Sequence, residues 1–290
     1  MLDQIKSQLG KPYYEGPHGI LYNMDCLIGL KKMMGINIIS TITSPPYNIG
    51  KEYETVQPSD NYVNWLASIF ERIYSLTSLN GSLLLNLGYL KIEGKGHAIP
   101  IPYLLWDKIS FYLNQEIIWH YGAGVSSKKY LSPRNEKVLW YVKDKDNYTF
   151  NLDDIRDPDV KYPNQKKNGK LRCNTIGKNP SDVWSIAKVT SGSQRSSHER
   201  TPHPAQFPED LIRRLVLGFT NKGDLLLDPF MGSGTVGAIA IELDRKFVGF
   251  EINADYCEIA KRRLIAKESE RFSTLDFDNG YAPSRSQTAI

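Results

Sequence analysis

Two short runs of residues carry the chemistry that this sequence offers, and each follows an apolar run typical of a buried strand. The first, Thr43-Ser44-Pro45-Pro46-Tyr47-Asn48, combines a hydroxyl, two rigid prolines and an aromatic ring. The second, Asp228-Pro229-Phe230-Met231-Gly232-Ser233-Gly234-Thr235, is a glycine-rich turn before an expected helix. Hydroxyl and carbonyl oxygens accept hydrogen bonds, and a helix start offers unpaired N–H groups. The two runs predict a catalyst that holds a flat base beside a nucleotide-like cofactor.

The second run has the pattern of strand, glycine turn and helix. Glycines let the backbone approach a ligand without a clash from Cβ. The spacing of Gly232, Gly234 and Gly237 also matches the dinucleotide fingerprint G-x-G-x-x-G, and Glu251 stands where an acid that binds ribose is expected. A nicotinamide-dependent oxidoreductase is therefore an alternative. Against it, this fingerprint normally opens a domain, whereas here it lies near the end of the chain.

Together the two runs resemble the DNA amino-methyltransferases, which move a methyl group from S-adenosylmethionine to an exocyclic amine. The similarity covers most of residues 18–268, and the order of the runs is similar to the circularly permuted beta group. The resemblance implies a Rossmann-like α/β fold, with a mostly parallel sheet, helices on both faces and an inserted DNA-recognition region. It also implies S-adenosylmethionine as cofactor, no metal, and double-stranded DNA as partner.

The resemblance also assigns residues to two sites. In the cofactor site, Asp25 is expected near the adenosine, residues 203–208 are expected to close over the methionine end, and Glu251 is expected to accept both ribose hydroxyls. The complete set implied for the cofactor is Asp25, His203, Asp228, Phe230, Gly232, Ser233, Gly234, Thr235 and Glu251. The set implied for catalysis is Ser44, Pro45, Pro46 and Tyr47.

The catalytic set has a physical rationale. The lone pair of an exocyclic amine is delocalised into the base, so the amine is a poor nucleophile until its hydrogens are bonded to acceptors. Ser44 Oγ and the Pro45 carbonyl are suitable acceptors, and Tyr47 offers a face for stacking. Because a paired base has its amine occupied, the target must be flipped out of the duplex. No cysteine follows a proline, which disfavours methylation at cytosine C5.

The motif also bears on which base is modified. Family members with Ser-Pro-Pro-Tyr usually modify cytosine N4, and those with Asp-Pro-Pro-Tyr usually modify adenine N6. Residues 177–184 and 203–208 also resemble the cytosine enzymes. We therefore expect a site-specific cytosine-N4 DNA methyltransferase of a restriction-modification system, with a cognate restriction endonuclease as a candidate partner. Adenine N6 methylation and a catalytically silent DNA-binding module are the alternatives.

Positive charge is concentrated in one stretch. The chain is 41% hydrophobic and 23% charged, and its formal net charge is only +4. Between residues 161 and 200, nine basic residues outnumber two acidic ones. They are Lys161, Lys166, Lys167, Lys170, Arg172, Lys178, Lys188, Arg195 and Arg200. The lysines are expected to contact phosphates and the three arginines are candidates for guanine contacts, with a solvated loop as the alternative.

Apolar periodicity predicts alternating strands and helices, and hence a mostly parallel sheet. Expected strands cover 36–42, 82–87, 116–120, 138–142, 225–227 and 246–250, and expected helices cover 61–76, 102–113, 211–219, 235–243 and 254–268. Asn80-Gly81 is expected to end the helix over 61–76. We divide the chain into a catalytic half (1–142), a target-recognition region (143–202), a cofactor-binding half (203–272) and a loose polar tail (273–290).

The remaining expectations concern the setting of the protein. No apolar run approaches the roughly 20 residues that a membrane helix needs, and the N-terminus lacks the pattern of a signal peptide. Three cysteines lie far apart without metal-like spacing. The sequence therefore predicts a reduced, cytoplasmic protein without a membrane association. Both a monomer and a homodimer are compatible with it.

Overall fold

The computed structural model describes residues 1–278, except positions 53, 123, 125, 191, 193, 194 and 196. The helices are α1 (Leu2–Leu9), α2 (Cys26–Lys32), α3 (Ser59–Leu76), α4 (Ile101–Leu105), α5 (Glu209–Phe219), α6 (Thr235–Glu242) and α7 (Ala254–Asp278). The strands are β1 (Tyr14–Glu15), β2 (Gly19–Asn23), β3 (Ile38–Thr43), β4 (Thr77–Leu87), β5 (Tyr89–Ile92), β6 (Gly96–Pro100), β7 (Tyr112–His120), β8 (Asn135–Val142), β9 (Lys166–Lys167), β10 (Lys170–Leu171), β11 (Val183–Ser185), β12 (Leu225–Asp228) and β13 (Lys246–Glu251). Short 3-10 helices cover Leu152–Ile155 and Ser197–Glu199.

The main sheet has nine strands in the order β1-β2-β13-β12-β3-β4-β8-β7-β11. Its neighbours are parallel except at β1–β2 and on both sides of β8. Since parallel strands share one carboxyl edge, the ends of β3, β4, β12 and β13 come together there. The predicted α/β class with a mostly parallel sheet is confirmed.

Helices cover the sheet on both faces. The strand β12 shows why, because its three consecutive leucines alternate between the two layers of the core. Leu225 and Leu227 pack in the cluster that contains α1, α2, α3 and α4, whereas Leu226 packs with α5, α6 and α7. A strand buried on both faces is a continuous apolar run, as the sequence predicted.

The helix α3 ends where the expected span of 61–76 ends, but Asn80 and Gly81 do not terminate it. It stops at Leu76, and β4 begins at the next residue, where the Thr77 hydroxyl donates to the Ile73 carbonyl at 2.8 Å. Asn80 and Gly81 lie within β4, in the stretch where the register against β3 shifts. The expectation that they end a helix was wrong, because these turn residues form an irregularity in a strand instead.

The expected helix over 102–113 is confirmed for its first turn and was wrong beyond it. Helix α4 ends at Leu105, and β7 already begins at Tyr112. Pairing with β8 over the whole length of β7 outweighs the weak helical spacing of this stretch, and it buries Ile117 and Trp119 on one face. At the other end of the chain, α7 continues past the expected end at residue 268. Of the expected tail over 273–290, residues 279–290 lie outside the described residues.

The aperiodic stretch over 143–202 contains little regular structure, but it is attached to the sheet. Its strand β11 pairs in parallel with β7 at the sheet edge, and Trp184 within it is only 4% exposed. The same stretch contains the hairpin of β9 and β10, which forms a separate two-stranded sheet. The recognition region assigned from the sequence thus contributes an edge strand to the main sheet.

Candidate cofactor and substrate cleft

A cavity of about 470 Å³ opens at the carboxyl edge of β3, β4, β12 and β13. This volume lies within the range of small-molecule sites. Eleven of the thirteen residues assigned from the sequence line it. They are Ser44, Pro45, Pro46, Tyr47, His203, Asp228, Phe230, Gly232, Ser233, Thr235 and Glu251. The two runs of the sequence therefore face one common space, and Asp25 and Gly234 lie outside it.

A buried hydrogen bond joins the two halves of the cleft. The Thr43 hydroxyl, at the end of β3, donates to Asp228 Oδ1, at the end of β12, over 2.8 Å. The backbone N–H of Phe230 donates to the same oxygen at 3.1 Å. Burial nevertheless raises the pKa of Asp228 to about 7, because it outweighs both hydrogen bonds. This carboxyl group is therefore poised to ionise beside a cation.

At two positions of the turn after β12, Gly232 and Gly234, a larger residue would be crowded by its neighbours. Gly232 has φ +50°, and a Cβ there would lie 3.0 Å from His203 Nε2. Gly234 has φ +78°, and a Cβ there would lie 3.0 Å from the Cβ of Ala260 on α7. Gly232 keeps the floor of the cleft open, whereas Gly234 allows α6 to pack against α7.

Glu251 ends β13 with both carboxylate oxygens oriented by the backbone. Its Oε2 accepts from the Gly232 N–H at 2.8 Å, and its Oε1 accepts from the Asn253 N–H at 2.9 Å. Burial raises the pKa of Glu251, and these bonds oppose that effect. Each oxygen keeps a second lone pair. The group can therefore accept two further hydroxyls in a fixed direction.

His203 lies over the glycine turn. Its Nδ1 accepts the Ala205 N–H at 3.2 Å, which leaves the hydrogen of the neutral ring on Nε2. The ring packs edge-on against Tyr256 at 4.4 Å between centroids. Burial lowers the pKa of His203 to about 4, so the ring is neutral at neutral pH. A neutral donor beside Gly232 closes one side of the cleft.

Ser233 and Thr235 are held by an arginine that the motif does not include. Arg263 Nη1 donates to Thr235 Oγ1 at 2.7 Å and lies 3.4 Å from Ser233 Oγ, while its Nη2 donates to Glu209 at 2.6 Å. Sequence reasoning missed Arg263, because it lies in the middle of α7, where a basic residue is ordinarily a solvated one. It fixes the turn against two helices.

Asp25 stands next to the cleft rather than in its wall. Its carboxylate caps α2 by accepting the Ile28 N–H at 3.0 Å. The preceding residue, Met24, donates its N–H to the Glu251 carbonyl at 3.0 Å. Asp25 is thus at the same sheet edge as the other assigned residues, one strand further out. Its expected contact with an adenosine stays a prediction.

The run after β3 is held in place on several sides. The Pro46 carbonyl accepts from the Tyr62 hydroxyl at 2.7 Å, whereas the Pro45 carbonyl has no hydrogen-bond partner among the residues described. The Tyr47 ring packs on Gly88, where a Cβ would lie 2.7 Å from the ring carbon Cε2. The Ser44 hydroxyl lies 3.0 Å from the Tyr47 hydroxyl.

Behind Tyr47 lies a polar group that the sequence did not reveal. The Tyr47 hydroxyl lies 2.9 Å from Asn86 Oδ1 and 3.2 Å from Glu136 Oε2. Glu136 also forms an ion pair with Lys188 at 3.2 Å, and these side chains line the cavity with Trp119. They come from separate elements with no shared motif, so only the folded chain brings them together.

A basic hairpin lies in the recognition stretch. Strands β9 and β10 are joined by Asn168 and Gly169, whose φ values of +53° and +75° fit a type I′ turn. The exposed basic residues of the stretch are Lys161, Lys166, Lys167, Lys170, Arg172, Arg195 and Arg200. Lys178 and Lys188 are instead paired with Asp157 and Glu136. The exposed set offers positive charge to a polyanion.

The described part of the chain contains neither a cluster of metal ligands nor a helix that could span a membrane. Within residues 1–278, apart from the seven positions excluded above, no cluster of three or more His, Cys, Asp or Glu side chains could hold a metal ion. None of the helices in those ranges combines the length and the apolar character that crossing a bilayer requires.

The fold and cleft define a methyltransferase architecture. The PvuII DNA methyltransferase, described as cytosine-N4-specific, superimposes with a TM-score of 0.68 at 21% identity, over 93% of this chain and 96% of that one. The M1.HpyAVI–SAM complex gives a TM-score of 0.56 at 25% identity, over 85% of this chain and 98% of that one. At 21% identity, the similarity to the PvuII enzyme shows a shared fold and no more.

The chain belongs to the DNA methylase family of N6 and N4 methyltransferases, whose sequence profile matches residues 38–262. Type II methyltransferase M.ScaI of Streptomyces caespitosus is 54% identical over 93% of this chain and 89% of that protein. DNA adenine methyltransferase YhdJ of Escherichia coli K12 is 34% identical over 83% of this chain and 80% of that protein.

Family membership confirms the resemblance that was drawn from the two runs. The protein is a DNA methyltransferase and its cofactor is S-adenosylmethionine. The alternative of a nicotinamide-dependent oxidoreductase therefore has no support. The family includes both N4 and N6 enzymes, so membership alone leaves the target base open.

Proposed function

We propose that this protein is a site-specific Type II DNA methyltransferase that transfers a methyl group to N4 of cytosine in duplex DNA. One observation carries the proposal: Ser44 and the Gly232 turn line the same cavity, and the Thr43–Asp228 hydrogen bond ties their strands together. A base amine held at Ser44 would then lie beside a cofactor held at the turn. Positioning of this kind supplies much of the rate of a direct transfer.

The cofactor residues fit their proposed ligand. When bound, S-adenosylmethionine supplies an electrophilic methyl group on a sulfonium. Glu251, with both oxygens oriented by backbone N–H groups, would accept the two ribose hydroxyls. Asp228 would balance the ammonium group of the methionine part, and Phe230 would offer an apolar surface. His203 would cover the methionine part from the side of Gly232.

The catalytic residues would activate the amine by accepting its hydrogens. Ser44 Oγ is suited to this, because its own hydrogen can point to the Tyr47 hydroxyl at 3.0 Å. The Pro45 carbonyl, fixed by the proline ring, is the second acceptor. The partly buried Tyr47 ring would stack on the base, which has to leave the duplex to reach the cleft.

The choice of cytosine rests on Ser44. A serine at the first position of the Pro-Pro-Tyr motif is what the cytosine-N4 enzymes of this family usually carry. Adenine N6 is the second candidate, and one specific observation favours it: the relative YhdJ, 34% identical, is named a DNA adenine methyltransferase. Both bases present an amine of the same geometry, so the roles proposed for Ser44 and Pro45 hold for either.

Identification of the product nucleoside tests this proposal. The purified protein is incubated with labelled S-adenosylmethionine and duplex DNA, and the DNA is digested to nucleosides for mass spectrometry. We expect label in N4-methylcytosine, with no label in free mononucleotides offered as competing acceptors. Label in N6-methyladenine would overturn the choice of base. Absence of label in any DNA, together with salt-dependent DNA binding, would leave only the silent binding module.

The division of labour along the chain is part of the same proposal. Residues 1–142 would form the catalytic half, 143–202 the recognition region and 203–272 the cofactor half, followed by the tail over 273–290. The exposed lysines of 161–200 would contact phosphates, and Arg172, Arg195 and Arg200 are the candidates for guanine contacts. We further propose a cognate restriction endonuclease as a partner, and a monomer or homodimer as the working form.

A further inference from the structure

Methylation of an amine leaves a surplus proton on the nitrogen, and the cleft contains a route for it. We propose that Ser44, Tyr47 and Glu136 form a proton path from the attacking amine, and that the path ends on the Glu136 carboxylate. The inference rests on the proposed function, but only on transfer to an exocyclic amine and not on which base carries it. Glu136 would act through Tyr47 as a positioning residue and a proton acceptor.

The path is continuous over short distances. Ser44 Oγ lies 3.0 Å from the Tyr47 hydroxyl, and that hydroxyl lies 3.2 Å from Glu136 Oε2. Both steps lie within or close to the range of hydrogen bonds in proteins. Ser44 lines the cavity where the amine is expected, and Glu136 lies in the same wall, 18% exposed.

The hydrogen-bond partners fix the direction of the first hydrogen of the path, and the path requires the second to point to Glu136. Asn86 donates through Nδ2 to the Lys137 carbonyl at 3.1 Å, so its Oδ1 is the atom that faces Tyr47. Asn86 Oδ1 and the ionised Glu136 can only accept, so the single Tyr47 hydrogen is directed to one of them. The hydrogen between Ser44 and Tyr47 is therefore the serine's own. Ser44 Oγ is left with free lone pairs for the amine.

Glu136 is placed to receive a proton, and Tyr47 to pass one on. Burial and, second, the charge of Glu136 raise the pKa of Tyr47 well above its usual value, so the phenol stays neutral. The titratable groups that face Glu136 are Tyr47, the Tyr121 hydroxyl at 3.4 Å, and Lys188 at 3.2 Å. Lys188 pairs with Glu136 Oε1, which leaves Oε2 as the oxygen that faces the Tyr47 hydroxyl.

The proposed step balances in atoms and charge. The bond from carbon to sulphur breaks and a bond from carbon to nitrogen forms, and the sulphur keeps the electron pair. As the new bond forms, the amine proton moves to Ser44 Oγ, the serine proton moves to Tyr47, and the tyrosine proton moves to Glu136. The products are a neutral methylated base, a neutral thioether and a protonated Glu136, which later returns its proton to solvent.

Glu136→Gln is the variant that tests the path, because glutamine keeps the shape of the side chain but accepts no proton. The matched control is Glu116→Gln on β7, which removes a carboxylate that is ion-paired with Lys137 and does not line the cavity. Single-turnover methyl transfer to duplex DNA is measured in H2O–D2O mixtures, together with the dissociation constant of S-adenosylmethionine. Glu136→Asp serves as the conservative variant that retains an acceptor.

We expect Glu136→Gln to slow transfer by roughly 10²-fold, the lower range of general acid–base effects, without weakening cofactor binding. The wild type should show a solvent isotope effect with a curved proton inventory, which Glu136→Gln loses and Glu136→Asp retains at a reduced rate. Glu116→Gln should behave as the wild type.

Two results would overturn the path. One is a wild-type rate that shows no solvent isotope effect or a linear inventory, which can be measured even if Glu136→Gln does not fold. The other is a Glu136→Gln rate within about twofold of the wild type. Failure of the proposed function is distinct, since it would appear as no methylated DNA, or as N6-methyladenine, in the wild type itself. If the product is N6-methyladenine, the rates of Glu136→Gln and Glu116→Gln still test whether the proton path operates.

Discussion

The Thr43 hydroxyl donates a 2.8 Å hydrogen bond to the Asp228 carboxylate, and this buried contact joins the carboxyl ends of β3 and β12. The two residues are 185 positions apart in the chain. The strands that carry them pair in parallel, so the catalytic run and the glycine turn leave the sheet side by side. The whole cleft is built around this junction.

The variant Thr43→Val tests the junction. It preserves shape but removes a donor that favours the ionised form of Asp228, so we expect weaker binding of S-adenosylmethionine. A hydrogen bond to a charged group contributes about 1.5–3 kcal/mol, which corresponds to a roughly tenfold or greater loss of affinity at pH 7. Isothermal titration calorimetry measures it.

Thr41→Val is the matched control for that variant. Thr41 lies on the same strand, and its buried hydroxyl has no hydrogen-bond partner among the described residues. Its replacement should leave cofactor affinity unchanged and should maintain or raise the free energy of unfolding. Equal losses of affinity in the two variants would mean that the strand, and not the Thr43–Asp228 bond, matters.

Cofactor binding should depend on pH through Asp228. Its pKa in the free protein is about 7, and the ammonium group expected beside it favours the ionised form. Below pH 7 binding must therefore release a proton, so affinity should rise by up to roughly tenfold per pH unit and level off above pH 7. Calorimetry in buffers of different ionisation enthalpy counts the protons. Proton uptake at pH 6 would refute this linkage.

Asp228→Asn should weaken cofactor binding and stabilise the free protein. The folded pKa of Asp228 is raised above its ordinary value of 3.8, so ionisation is disfavoured in the fold. The free protein therefore loses stability as the pH rises from about 4 to about 7, and the loss persists above that range. Asparagine does not ionise. At pH 8 the free energy of unfolding of the variant should exceed that of the wild type by on the order of 1–4 kcal/mol. Near pH 4 this difference should disappear.

Gly88→Ala should slow methyl transfer through Tyr47. An added Cβ would lie 2.7 Å from the Tyr47 ring, so the ring must move while the backbone of residue 88 needs no unusual φ. A displacement near 1 Å at a reacting group can cost about 10²-fold in rate. Gly122→Ala, whose Cβ would enter open space, is the control. A Gly88→Ala rate equal to that of Gly122→Ala would show that the position of the Tyr47 ring does not matter for methyl transfer.

The hairpin of β9 and β10 should contribute charge to DNA binding. Lys167 and Lys170 are cross-strand partners beside its turn, and both are exposed. Their replacement by alanine should reduce the slope of log affinity against log salt by about 0.9 per lysine that contacts a phosphate. Lys145→Ala with Lys222→Ala removes the same charge elsewhere. An equal change of slope in both pairs would show that net charge, and not the hairpin, is responsible.

The sequence was most informative where chemistry and local pattern coincide. The apolar run before Asp228, the glycines after it and Ser44 at the end of a β-branched strand each carry a local signal, and the sheet brings them to one edge. Glu136, Lys188 and Arg263 carry none. Their roles arise from contacts between elements that are distant in the sequence, and no local sequence pattern predicts such contacts.

The predicted ends of helices and strands were wrong at two places for a related reason. Tyr112 begins a strand inside an expected helix because β8 supplies partners along its length. Asn80 and Gly81 sit in a strand irregularity because β3 pairs on either side of them. In both places long-range pairing outweighed local propensity, which a reading of nearby residues does not include.

The most direct test of the central claim is single-turnover methyl transfer by Ser44→Ala at saturating S-adenosylmethionine. Ser40→Ala, on the same strand, is the control, since the buried Ser40 hydroxyl has no hydrogen-bond partner among the residues described. We expect Ser44→Ala to bind the cofactor as the wild type does, yet to transfer methyl to DNA roughly 10²-fold or more slowly. A Ser44→Ala rate equal to that of Ser40→Ala would contradict this expectation.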